Sequence, residues 1–421
     1  MSGAWRLMCY DSVLATFIAD EDEFGSVRVR DLWVDPATAA LLPARLLCTT
    51  TARGMEAWLS SRSLPKDAAF VNRILEQAGL SGKSTMALLG VSKGLSTTDA
   101  YWVCREGEDL RWRDINVFQN DLDAVLSLVA YTGVTSSQRH KAGMSTAWTT
   151  NGSYPKAWRR IDGQLVLYKA NNWPVVPDTA ANRDHGPWSE FFCAQVAEVI
   201  GLPHVEYGLD RWKGHVASTC RLMNSEDVSL VPFSDVQVGC KTTPEAVSLL
   251  WSLDPQWGRA LVDMLVFDAI VCNDDRHQGN VALLRDNRTG EFLGLAPCFD
   301  NNRALFPTDM PADYSGWPRR PQQLSPRGIG GSFDAMARAY LQDRHHEWAR
   351  RLLGANLRQD SGYPEDSARF EALNDYLHAR ARQLLDMPTK SEDELSATLE
   401  RNMPEDATNA VERQRQLALG A

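Results

Sequence analysis

A polar cluster set between an apolar run and a hairpin constrains this chain most. Asp274-Asp-Arg-His-Gln-Gly-Asn280 directly follows the strongly apolar Ala260-Leu-Val-Asp-Met-Leu-Val-Phe-Asp-Ala-Ile-Val-Cys272. Beyond it lie the apolar Val281-Ala-Leu-Leu284, the turn-forming Asp286-Asn-Arg-Thr-Gly290 and the returning Phe292-Leu-Gly-Leu-Ala296. Two apolar runs joined by turn chemistry predict an antiparallel hairpin. Its open ends lie side by side, with Asn280 at one and Phe299-Asp300-Asn301 just beyond the other. Phosphoryl transfer needs a carboxylate to accept the proton of the attacking hydroxyl, and oxygen ligands for magnesium. Asp275, Asn280 and Asp300 are candidates for those three roles. The plain alternative is a solvated polar turn. The second acid at the end of the hairpin and the apolar run before the cluster weigh against it. His277 is expected to scaffold the loop through hydrogen bonds rather than to be a ligand.

At 421 residues the chain is long enough for two or three domains, each with its own core. A net charge of −10 argues against a broad nucleic-acid or anionic-membrane surface. The eight cysteines are scattered and form no Cys-x-x-Cys pair, as expected of reduced core residues in a cytoplasmic protein. The longest apolar run, near 260–272, is too short for a membrane span and carries two aspartates. No signal peptide is read at the start, and no membrane association is expected.

Residues 1–135 read as an accessory domain. Strands are expected near 5–18, 26–34 and 42–47, and helices near 54–61 and 67–78. The stretch 85–99, with Gly90 at its middle, superficially resembles a helix-turn-helix. A helix, a glycine-rich connection and a strand at 100–104 is the favoured expectation, because nothing nearby is strongly basic and no direct nucleic-acid contact is expected. A small, polar stretch at 136–148 marks the best boundary. Thr149-Thr-Asn-Gly-Ser-Tyr-Pro-Lys156 is rich in turn residues. A strand at 157–161, the tight turn Asp162-Gly163 and a strand at 164–169 follow. Leu165, Leu167 and Lys169 share one face of that second strand. Lys169 is either a strand-end charge reaching for water or a phosphate-binding lysine.

A helix at 189–200, stopped by Gly201-Leu-Pro203, buries Phe192, Val196 and Val199 or Ile200, with Glu190 in its first turn. Glu190 either answers the helix dipole or fixes Lys169 against nucleotide phosphates. Strands are expected at 205–209 and 215–222, and Arg221-Leu-Met223 takes the place of a hinge facing a purine. Helices are expected at 244–251, 256–272, 332–341, 344–353 and 367–385, with a proline-rich connection at 307–326. The predicted division is 1–135, 136–225, 226–387, and a charged, solvated tail at 388–421.

In order, Gly152-Ser-Tyr-Pro-Lys156, Lys169 on a strand, Ser189-Glu-Phe-Phe192 in a helix ending Gly-Leu-Pro, Asp275-x-His-x-x-Asn280 and Phe299-Asp300 resemble the HipA-like serine/threonine kinases of bacteria. The resemblance implies an α+β, protein-kinase-like two-lobed fold: a β-rich N-lobe and a mostly helical C-lobe, preceded by an extra N-terminal α+β domain. It implies ATP and Mg2+ as cofactors and a serine or threonine of a protein substrate as acceptor. Asp275 would be the catalytic base, Asn280 and Asp300 the magnesium ligands, and Lys169, held by Glu190, the phosphate contact. Asn151, Gly152, Ser153 and Lys156 would cover the phosphates, with Arg221, Met223 and His277 also at the nucleotide site. Many members are toxins restrained by a DNA-binding antitoxin. Some are silenced by phosphorylation of a serine in the Gly-rich loop. The matching position here is Thr149, with Thr150 and Ser153 as neighbouring acceptors. The string Asp275-Arg276-His277 also occurs in phosphoinositide-kinase-like enzymes, so a lipid or small-molecule acceptor stays open, as does a nucleotide-binding pseudokinase regulator. The acidic net charge and the lack of a basic amphipathic helix weigh against a membrane surface.

Overall fold

Alternation of apolar and charged residues shapes the first sheet: Val27 and Val29 point inward while Arg28 and Arg30 face out. The sheet is antiparallel throughout, in the order Val27–Val34, Ser12–Glu21, Gly3–Cys9, Tyr101–Arg105. The computed structural model of the chain describes residues 3–23, 25–63, 70–79, 84–135, 145, 154–171, 184–327, 330–404 and 408–419. The segment 42–47 is not a strand. Pro43 precedes a short helix, Ala44–Cys48, that buries Leu46 and Leu47. A short apolar run cannot be assigned to strand or helix by periodicity alone, and proline readily opens a helix. The helix Thr85–Ser92 holds Gly90 in its interior and leads through a turn to the strand Tyr101–Arg105. That is a helix, connection and strand, not a helix-turn-helix.

A second antiparallel sheet has the order Lys156–Ile161, Gln164–Ala170, His215–Arg221, Gly208–Trp212. Asp162 and Gly163 both take positive φ, +47° and +79°, as a two-residue type I′ turn requires. The strand expected at 205–209 lies further along, at Gly208–Trp212. Residues 203–205 are drawn aside by a bridge to the far end of the hairpin. Cys298 N–H donates to Pro203 O at 2.8 Å and Val205 N–H to Cys298 O at 2.9 Å.

The expected hairpin forms from Ala282–Asp286 and Phe292–Leu295, and Val228–Pro232 joins it as a third strand. Around it lie the helices Thr243–Leu253, Pro255–Val271, Phe333–Tyr340, Asp343–Leu353 and Ser367–Leu385, close to their predicted positions. The proline-rich connection contains a 3-10 helix, Pro311–Arg319, that buries Trp317. No helix among the described residues is long and apolar enough to cross a membrane. All eight cysteines are free thiols, and Cys48 is the only one not fully buried.

The tail is not a solvated extension. Ser391 and Glu394 form a capping box on the helix Glu392–Glu400, which buries Leu395 and Leu399. Asn409 pairs with Gln237, and Ala410 and Val411 are buried in the same continuous core as Trp5 and Phe267. The apolar residues lie at i,i+4 spacing within a charged sequence, so composition concealed the buried stripe. Leu395→Ala is expected to lower stability by about 2–4 kcal/mol in a denaturant titration. A tail free in solvent would change it by less than about 0.5 kcal/mol.

Candidate active site

Lys169 sits on an inner strand of the second sheet, with Lys156 opposite on one side and Ser218 on the other. It is only 6% exposed, so it does not reach for water. A lone buried ammonium is unfavourable and must be paired. Its Nζ donates to Glu190 Oε1 at 2.9 Å and to Asp300 Oδ1 at 2.5 Å. Glu190 belongs to the helix Gly186–Ile200, which opens three residues earlier than expected, with Pro187 in its first turn. Glu190 therefore lies in the second turn, past the reach of the dipole site foreseen for it. Its second oxygen accepts the Ser218 hydroxyl.

Charge in this trio is set by mutual pairing. Burial opposes the Lys169 charge, but Asp300 and Glu190 outweigh it and hold its pKa above the ordinary lysine value. Burial raises the Glu190 pKa against the pull of Lys169. Burial also acts to raise Asp300, yet Lys169, then Lys156, bring it down to about 2. Asp300 adopts a left-handed φ of +56°, a conformation that aspartate tolerates better than most residues.

Arg276 builds the loop beneath. Its Nε and one terminal nitrogen grip Asp268 of the preceding helix at 2.9 and 3.1 Å. The same side chain donates to Asn280 O at 3.0 Å and Phe299 O at 2.7 Å, and so ties together the two ends of the hairpin. It also reaches Asn301 Oδ1 at 2.7 Å, which in turn accepts from Asn273. Asn273 Oδ1 receives the Asp275 N–H at 3.1 Å. His277 Nδ1 accepts from Gly279 N–H at 3.0 Å, the loop-holding role expected of it. A Cβ on Gly279 would lie 2.8 Å from the His277 ring, so that close turn needs glycine.

Asn280 spends its side-chain N–H on Asp275 O at 3.1 Å. Asn280 Oδ1 and Asp300 Oδ2 carry no hydrogen bond among the described residues. Two free oxygens at adjoining hairpin ends fit a hard cation such as magnesium. Asp275 is 37% exposed and accepts Arg327 at 2.7 Å.

Several participants were not singled out in the sequence. Arg303 grips Asp274 at 3.0 and 3.1 Å. The Tyr154 ring lies 5.6 Å from Lys169 Nζ. Arg276, Asp268, Ser218 and Arg327 were likewise missed; an arginine inside the Asp-x-His-x-x-Asn string was the one available signal. Arg221 is exposed at a strand end, Met223 is half-buried, and neither bonds to the Lys169 trio. Thr149, Thr150, Asn151, Gly152 and Ser153 lie outside the described residues.

Arg276→Ala leaves Asp268 charged and buried without its partner. A loss of about 3–5 kcal/mol is expected in denaturant unfolding, and a loss under about 1 kcal/mol would contradict the hub. Asp300 has a depressed pKa, so its stabilising contribution is full above the ordinary 3.8 and is lost as pH falls through about 2. The stability difference between the wild type and Asp300→Asn, followed by urea melts, should hold steady above about pH 4 and shift by the loss of that contribution toward pH 2.

No protein-family model matches the chain. The serine/threonine-protein kinase CtkA of Helicobacter pylori is 25% identical over 166 residues, a match spanning 35% of this chain and about half, 48%, of that relative. The crystal structure of the Helicobacter pylori proinflammatory kinase CtkA covers 64% of this chain and 93% of its own, at 16% identity and a TM-score of 0.37. HipA of Shewanella oneidensis MR-1, solved with HipB and operator DNA, aligns at a TM-score of 0.56 and 12% identity. That alignment covers 93% of this chain and 99% of the other, so it takes in the first sheet as well as the lobes. The alignment to HipA shows the resemblance in fold: the chain has the two-lobed, HipA-like kinase architecture.

Proposed function

We propose that this chain is a cytoplasmic serine/threonine protein kinase that uses ATP and magnesium. The buried Lys169–Glu190 pair, joined by Asp300, is the observation that carries the proposal. A strand lysine fixed by a helix glutamate, beside a metal-binding aspartate, is the arrangement that protein kinases need in place for transfer.

ATP would lie between the second sheet and the helical lobe, its base near Arg221 and Met223. Lys169 would hold the phosphates, and Glu190 keeps its ammonium pointed at them. Residues 151–156 would cover the phosphates with backbone N–H groups. Magnesium, when bound by Asn280 and Asp300, supplies charge neutralisation on the phosphates. Asp275, partly exposed at the cleft, accepts the proton of the serine or threonine hydroxyl. The acceptor oxygen bonds to the γ-phosphorus, the bond from that phosphorus to the bridging oxygen breaks, and ADP leaves.

The likeness to CtkA, itself a serine/threonine-protein kinase, supports the acceptor class. The HipA structure contains HipB, and a restraining protein partner of that kind is part of the proposal for this chain. The net charge of −10 supports contact with a protein rather than directly with DNA.

Purified protein incubated with γ-labelled ATP and magnesium tests the proposal. Asp275→Asn is expected to lower turnover by on the order of 10²–10⁴ while nucleotide still binds. Phosphate mapped to Thr149, Thr150 or Ser153 in wild type alone would extend control to the chain's own loop. Equal turnover by the two proteins would overturn the assignment of Asp275.

A further inference from the structure

We propose that the first sheet and its flanking helices set the pose of the hairpin bearing Asn280 and Asp300, and that Arg285 is the positioning residue through which they do so. This inference rests on the kinase function proposed above, because it concerns the oxygen ligands assigned there to magnesium.

Arg285 is the next-to-last residue of the hairpin's first strand, near the closed end, and is 1% exposed. Its Nε donates to Gly290 O at 2.8 Å, across the hairpin's own turn. The two terminal nitrogens leave the hairpin altogether. One donates to Leu42 O at 2.7 Å and Tyr101 Oη at 2.9 Å, the other to Ala40 O at 2.7 Å. Among the described residues, these acceptors are all neutral oxygens. Burying a guanidinium on neutral partners is a poor way to gain stability. It is a good way to fix direction, since the planar fork bonds only along set lines.

The surroundings reinforce the contact. Gly290 has φ +77°, and a Cβ there would come within 2.6 Å of Ala40 O, so the turn presses directly against the N-terminal unit. The third strand is held the same way: Leu230 N–H donates to Thr98 O at 2.7 Å, and Asn224 to Thr97 O at 2.8 Å. Tyr10 adds a bond to Glu226 O at 2.9 Å.

The hairpin is thus pinned at both ends by buried arginines. Arg276 fixes the open end to the helical lobe, and Arg285 fixes the closed end to the N-terminal unit. From Arg285 back to Ala282 the strand is roughly 10 Å of stiff, paired backbone, and Asn280 lies two residues beyond it. A tilt at the closed end is carried to the two ligands. Groups that hydrogen-bond metal ligands directly contribute about 10–100-fold to metal affinity; Arg285 bonds neither ligand, so an effect no larger than the lower end of that range is expected.

The test uses full-length protein and a fluorescent ATP analogue, with binding followed by anisotropy as magnesium is titrated. Arg285→Lys keeps the charge but loses the fork. Tyr101→Phe removes one acceptor and leaves Arg285 its carbonyl partners, which keeps the test available if Arg285→Lys does not fold. Half-saturating magnesium is expected to rise on the order of tenfold in Arg285→Lys and roughly threefold in Tyr101→Phe. Nucleotide affinity without magnesium should stay unchanged, which a merely loosened fold would not produce. An unmoved magnesium dependence in folded Tyr101→Phe overturns the inference while leaving the kinase proposal intact. A wild type whose nucleotide binding ignores magnesium overturns both.

Discussion

Arg276 has five N–H donors, and the structure turns them toward the preceding helix, both ends of the hairpin and the Asn301 side chain. A buried ion pair such as Arg276–Asp268 contributes little net stability, because desolvation offsets most of the attraction. Its consequence is geometric. Asn280 and Asp300 are far apart in sequence, and a single planar group bonded to the carbonyls beside them sets their separation. Were that group replaced by an apolar side chain of similar volume, the hairpin would still form, but its open end would lose its alignment with Asp275.

Above this hub sits the Lys169 trio. One ammonium is shared between two carboxylates in a buried place, so none of the three groups is at ease without the others. That coupling links three elements: a strand of the second sheet, the Gly186–Ile200 helix and the segment after the hairpin. Under the proposed function, phosphate and magnesium would divide the present Lys169–Asp300 pair between them. Closure of the lobes and assembly of the site would then be one event.

The hairpin, the lysine strand and the helices of the C-lobe were legible because each follows a local rule: period two, period 3.6, or turn chemistry at a fixed offset. The same local rules failed where neighbours decide. Where a strand was expected at 42–47, the helix Ala44–Cys48 forms because Pro43 and the adjoining packing outweigh a strand-like composition. The helix bearing Glu190 begins at Gly186, since Pro187 suits a first turn better than Ser189 does. The tail packs because Leu395 and Leu399 find a core contributed by distant segments. Most of the candidate site could be named from its motif order. Its supports could not, because Arg285 acts mainly through backbone carbonyls, which leave no mark in sequence, and Arg276 joins side chains and carbonyls that lie far apart in the chain.

The most direct test of the Lys169–Asp300 site is a crystal structure with a non-hydrolysable ATP analogue and manganese in place of magnesium, the metal located by its anomalous signal. Metal is expected between Asn280 and Asp300, with phosphate oxygens on Lys169 and the γ-phosphate facing Asp275. Metal held elsewhere, or nucleotide bound away from Lys169, would contradict that arrangement.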